Sequence, residues 1–151
     1  MPKEFAVAVV AALPVFELRG SIPLGILSFK MPWQSVCFYS FLGNFIPIVP
    51  LLVFLRWAEK RLENIRYIGK GLRWWFDKVH KKSKIVQVYG FWGLALFVAI
   101  PVPGSGIWSG AVAATLFEFK LKRAFLAILI GMIIAGILVT LGTLGIFKFL
   151  N

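Results

Sequence analysis

The sequence predicts an all-α membrane protein built as two inverted repeats. Each repeat is a re-entrant helical hairpin followed by a transmembrane helix, and a basic amphipathic helix joins the two. Three observations predict this plan. The 151 residues are 60% hydrophobic, with 15 Phe and 6 Trp, more apolar surface than a chain of this size can hide from water. Two of its long apolar runs have the length a bilayer requires, and two do not. The net charge of +11 is concentrated between the runs instead of being spread along them.

The conventional runs are 33–55 and 124–147. At about 1.5 Å of rise per helical residue, either crosses a hydrocarbon core of about 30 Å. Trp33 and Trp57 suit the membrane interfaces, and Arg56 and Arg123 end the runs on a basic side. The run 5–16 is too short, rising only about 18 Å as a helix. It is read as retained in the protein, because it lacks a small-residue cleavage pattern and leads straight into Glu17 and Arg19. The run 85–117 is too long for one span and too short for two. PVPGSG at 101–106 interrupts it, with Pro101 and Pro103 stopping a regular helix, and Pro14 and Pro23 act as structural breaks around the first run. Both irregular runs therefore read as half-helix, break, half-helix. Such backbone is tolerated at membrane depth only inside protein or beside a wet cavity.

Charge favours hairpins over full spans. Ten of the 17 Lys and Arg lie in 56–84, and Lys120, Lys122 and Arg123 add three more. Basic clusters beside apolar spans face the cytoplasm. Re-entrant hairpins put all of them on that face and leave Lys3, Lys30 and Lys148 outside, whereas four full spans would move Lys120, Lys122 and Arg123 out. The single membrane domain 1–151 then divides into hairpin plus span at 5–55, a cytoplasmic linker at 56–84, and hairpin plus span at 85–147. The halves enter from opposite sides and share a local echo, GSIPLG at 20–25 and GSGIWSG at 104–110. This is a transporter-like plan.

Within the linker, Ala58, Leu62, Ile65, Leu72, Trp75 and Val79 recur at mostly helical spacing, the pattern of an interfacial helix that Gly69 and Gly71 should interrupt. Its Trp and Lys residues suit base stacking and phosphate contact. In a membrane chain the same residues serve topology and anionic headgroups, so lipids are the expected partners and nucleic acid is not. Cys37 and His80 stand alone, which argues against an intramolecular disulfide, a metal site or a cofactor.

The chemistry concentrates in ELRGSIPLG, 17–25. Charges within a membrane cost at least about 2.5–3.5 kcal/mol each near the centre of an inserted helix, which makes a functional role the default. Arg19 would clamp a phosphate or carboxylate through its planar fork. Glu17, between desolvation and the Arg19 charge, is placed for proton coupling. A half-helix beginning inside the membrane presents unpaired N–H groups to an anion. Gly20 and Ser21 are thus candidate substrate contacts in the first break, and Gly104, Ser105 and Gly106 in the second. Ser21 would cap the returning half-helix and Pro23 would sit in its first turn. Asn44, between Gly43 and Pro47, would provide polar support at the midplane, bonding loose carbonyls or touching substrate. Gly106, Gly110 and Ala114 form one small-residue packing face, and Ala127, Gly131 and Ala135 another. Thr140 and Thr143 should bond back to their own helix.

FELRGSIPLGI at 16–26 followed by a full span, and PVPGSGIWSGAVAA at 101–114 followed by another, resemble the small multidrug export family of prokaryotic membrane proteins over nearly the whole chain. The architecture is also similar to that of the DedA group, which has two opposed re-entrant hairpins bearing acidic and Arg residues. Some DedA members are implicated in moving undecaprenyl phosphate. The resemblance implies Glu17, Arg19 and the 101–106 break as counterparts, although the second hairpin here has no Arg where DedA-type hairpins usually do. It implies a protein integral to the prokaryotic cytoplasmic membrane. Its expected function is that of a secondary transporter or lipid flippase for an anionic amphiphile such as a polyprenyl phosphate, with protons coupled through Glu17. One alternative is export of cationic amphiphilic drugs with Glu17 as counter-ion, which Arg19 opposes; another is a non-transporting membrane scaffold. A lipid-phosphate phosphatase would need a His or a second carboxylate near the break, so an enzyme is not expected. One chain of this size would seal a pathway more readily as a homodimer.

Overall fold

The computed structural model describes residues 1–61, 68–101 and 105–151, and among these every regular element is a helix. Two stretches are long and apolar enough to cross a membrane, Trp33–Arg61 with 29 residues and Leu121–Leu150 with 30. The chain divides into two compact units, Met1–Pro47 with Met132–Asn151, and Ile48–Gly131.

In the first unit, α1 (Lys3–Ala12) ends where Leu13 turns extended, with ψ at 139°. Pro14 explains the stop, since a residue preceding proline is driven out of the α region. Residues 13–16 form a turn, α2 (Glu17–Pro23) follows, and Leu24–Ser28 continue it as a π-helical turn. Pro23 has no N–H to donate back along α2, and the helix widens to i→i+5 bonding just beyond it. Lys30, with φ 51°, turns the chain into α3 (Trp33–Phe45).

α3 packs along both α1 and α2. A Cβ on Gly43 would lie 2.0 Å from the Ala8 carbonyl oxygen, so α1 and α3 are in backbone contact. Val7, Ala11 and Val36 are fully buried in this core. The C-terminal part of α8 (Leu121–Leu150) completes the unit, with Leu18 Cδ1 3.7 Å from the Cβ position of Gly136.

The second unit contains α4 (Ile48–Arg61), α5 (Ile68–Lys82), α6 (Lys84–Ala99), α7 (Ile107–Leu116) and the first turns of α8. α7 packs against α4, α5 and α6, and its residues from Ser109 to Thr115 are all buried. Close approach there depends on small residues: a Cβ on Gly110 would meet Val98 Cγ2 at 2.4 Å, and one on Gly131 the Ala95 carbonyl oxygen at 2.5 Å. α6 kinks at Gly90, whose φ of 58° favours glycine. Arg56 of α4 donates to the Phe119 carbonyl in the turn after α7.

Several expectations change at this level. The break in the first run falls at 13–16, ahead of the charges, so Glu17 and Arg19 belong to a helix and Pro23 closes that helix instead of opening the next. The run 33–55 is interrupted by a turn at Ile46 and Pro47, where proline again removes a helical donor. α4 then runs on to Arg61, which puts Ala58 on α4 and not on the linker helix. Leu62 and Ile65 lie outside the described residues. α5 passes through Gly69 and Gly71 without a break. Its seat explains the continuity: Phe76 and Val79 are buried, and His80 stacks on Phe117 at 5.8 Å. Tertiary contact of this kind overrides glycine's weak helix propensity.

Candidate functional site

α2 is short, but its two sides do different chemistry. On one, Glu17 and Ser21 are one helical turn apart and are 6% and 0% exposed. Ser21 Oγ donates to Ser40 Oγ of α3 at 2.8 Å, and neither hydroxyl reaches solvent. Ser40 and Asn44 are likewise one turn apart, so the polar groups of α3 form a stripe facing those of α2. On the other side, Leu18 and Ile22 line an apolar groove of about 430 Å³ with Trp33, Phe41, Ile137 and Thr140. The groove's polar feature is Cys37 Sγ, 3.2 Å from Thr140 Oγ1.

The helix begins under strain. Glu17 has φ 50°, the left-handed region that non-glycine residues seldom occupy, although it is buried and opens the helix. Holding such a residue there costs about 1–3 kcal/mol and persists only when the surroundings fix it. Here the turn fixes it from both sides. Glu17 N donates to the Leu13 carbonyl at 3.0 Å, and Gly20 N donates to the Phe16 carbonyl at 2.8 Å. Gly20 also makes room for Phe16, whose Cβ lies 2.8 Å from where a Gly20 Cβ would sit. Arg19 is half-buried beside Glu17, and the two charges interact electrostatically.

Of the residues singled out in the sequence, Glu17, Arg19, Gly20, Ser21 and Asn44 fall in the first unit, and Ser105 and Gly106 in the second. Ser21 does not cap a helix, since no side chain caps α2 and its hydroxyl is committed to Ser40. Asn44 is 1% exposed, and its Oδ1 has no hydrogen-bond partner among the described residues. Pro14 lies in the turn before α2, and Pro101 follows the end of α6. Gly104 and Pro103 lie outside the described residues. Ser105 Oγ donates back to the Ile100 carbonyl at 2.7 Å. Gly106 takes φ 128° to start α7, and its carbonyl accepts from Gly110 N at 2.7 Å. Thr140 and Thr143 do bond back, to the Gly136 and Val139 carbonyls, each at 2.7 Å.

Sequence reasoning missed Ser40 and the groove. The i, i+4 spacing of Ser40 and Asn44 in an otherwise apolar helix was the available signal for the first. The groove depends on how Leu18 and Ile22 pack against residues more than a hundred positions away, which has no local signature.

Neither a curated protein nor a solved structure matches the chain. Residues 17–138, which begin at Glu17 and take in all of α2 to α7, match a protein family. The chain belongs to the family described as "Putative small multi-drug export protein".

Proposed function

We propose that this membrane protein is a secondary transporter or lipid flippase for an anionic amphiphile, with a polyprenyl phosphate as the representative substrate. The observation that carries the reading is the pairing of head and tail chemistry on α2. Arg19 offers a planar, permanently charged fork for a phosphate, and the neighbouring Leu18 and Ile22 line an apolar groove suited to a hydrocarbon chain. Strain and a buried charge in one short helix are what a binding site retains and a purely structural segment loses. Glu17 competes with the substrate for Arg19, and its release on substrate binding lets it take up a proton.

In this reading the broken segments are re-entrant, the halves are inverted repeats, and the basic segment 56–84 faces the cytoplasm of a prokaryotic cell. The resemblance to the DedA group supports the same substrate class. A homodimer would complete the transport path.

The family description favours a second reading, export of cationic amphiphilic drugs with Glu17 as the counter-ion. Arg19 beside Glu17 opposes it, since a cation would meet a like charge. Thermal unfolding of the detergent-purified protein separates the two. Undecaprenyl phosphate should raise the unfolding temperature of the wild type and not that of Arg19→Ala. Stabilisation by cationic dyes alone, lost in Glu17→Gln, would refute the anionic reading in favour of drug export.

A further inference from the structure

Contacts between α2 and α3 define an antiparallel register. Gly25, just past α2, sits where a Cβ would come within 2.7 Å of both Val36 methyls. Four residues back on the α2 side and four forward on α3, Ser21 is hydrogen-bonded to Ser40 at 2.8 Å. One more turn in the same directions sets Glu17 opposite Asn44. Both are buried, and both belong to the first unit.

The chemistry at that level is unbalanced. Among the described residues, buried Asn44 Oδ1 has no hydrogen-bond partner, an arrangement that native interiors avoid. An ionised carboxylate cannot supply the missing donor, because its oxygens only accept, whereas a protonated carboxyl group has one O–H to give. Of the unit's other charges, Lys30 is exposed in the turn before α3. Arg19 interacts with Glu17 from their own helix. α1 carries charge only at its exposed end, at Lys3 and Glu4, and α3 carries none. The titratable groups of α3 are Cys37, in contact with Thr140, and the half-buried Tyr39. In Met132–Asn151 the charged side chain is the exposed Lys148.

We propose that Asn44 is the second partner of Glu17: protonated Glu17 donates its carboxyl hydrogen to Asn44 Oδ1, and ionised Glu17 returns to Arg19. The step is the transfer of one proton from hydronium to one carboxylate: an O–H bond of hydronium breaks, leaving water, as the carboxyl O–H forms. The exchange frees Arg19 for an anion in the state in which Glu17 is neutral. It rests on the proposed function only for its use in transport, since the protonation itself needs no substrate.

Infrared difference spectroscopy of the full-length purified protein across a pH series tests it, with no ligand added. The protonated-carboxyl band of Glu17 is identified by its loss in Glu17→Gln. In Asn44→Leu, the pH at which the band is half-formed should fall by about one unit, the size of one lost hydrogen bond. No change overturns the proposal. A rise overturns it too, by showing that the amide N–H groups had been donating to the carboxylate. Asn44→Ala repeats the measurement should the leucine variant not fold. The wild type with carbon-13 asparagine gives a reading without mutation: an amide carbonyl band must shift as the Glu17 band forms, and a band that stays still refutes the contact. Because the substrate is absent, failure here leaves anion binding at Arg19 standing, and failure of the lipid experiment leaves this proton site standing.

Discussion

The break before α2 and the break before α7 use similar residues to opposite ends. Before α2, a Leu-Pro step ends α1 and the chain re-enters a helix through a strained, buried glutamate, with Arg19 two residues on. Before α7, the chain re-enters through Gly106, whose φ of 128° carries no side-chain penalty, and the following helix is neutral and small. The first stores strain and charge around polar side chains. The second uses glycine and alanine to bring helices into close contact. What distinguishes the two is which residue bears the cost of the turn.

Close packing is the sharpest place to begin, because a glycine set against backbone and a glycine set against a side chain should differ in kind. Gly43→Ala drives a methyl into the Ala8 backbone at 2.0 Å, which no side-chain motion relieves. It should cost at or beyond the top of the usual range of about 1–3 kcal/mol for overpacking, measured by unfolding in detergent. Gly110→Ala meets only a Val98 methyl at 2.4 Å. Its cost should be at the low end of that range, and Val98→Ala in the same chain should recover most of it. Equal losses at the two glycines would remove the distinction between backbone and side-chain contact.

The next effect separates binding from structure. Ser105→Ala removes a hydroxyl bond to the Ile100 carbonyl and should lower stability by about 1 kcal/mol. It should leave lipid-phosphate stabilisation intact, whereas Arg19→Ala should weaken lipid-phosphate binding at least about tenfold, the loss of one charge-assisted contact. Titration of the unfolding temperature against ligand concentration reads both. A comparable binding loss in Ser105→Ala would place the second break in the site as well.

The smallest effect concerns strain. Glu118 has φ 56° in the turn after α7 and is exposed, so Glu118→Gly should stabilise by about 1 kcal/mol in thermal unfolding. Glu17→Gly relieves the same backbone penalty but leaves Arg19 without its carboxylate, and should give no such gain. A matching gain at both positions would mean that the charge at Glu17 contributes nothing to the fold.

How much of this was legible beforehand depends on the range of the interaction responsible. Hydropathy and length marked 33–55 and 124–147, which lie within the apolar stretches Trp33–Arg61 and Leu121–Leu150, because a spanning helix is a local statement about consecutive side chains. The back-bonding of Thr140 and Thr143 was legible for the same reason. Glu17 and Arg19 stood out because charge in an apolar run is expensive wherever the chain later goes. The start of α2 lies earlier than expected because the Leu13–Pro14 step, and not the Gly and Pro residues at 20–25, breaks the helix. Gly69 and Gly71 were expected to interrupt the linker helix because the contacts of Phe76, Val79 and His80 that hold α5 come from elsewhere in the chain. The pairing of Ser21 with Ser40 needed the register of two helices, which neither segment contains alone.

The most direct test of the account is proton uptake on ligand binding. Undecaprenyl phosphate would be added to weakly buffered, detergent-purified protein at fixed pH, with a pH-indicator dye recording the exchange. The wild type should take up close to one proton more per bound lipid than Glu17→Gln, because an anion arriving at Arg19 releases Glu17 to be protonated. Tight binding with the same proton count in both proteins would contradict the account: Glu17 would then stay as it was, and the charges in α2 would not exchange partners.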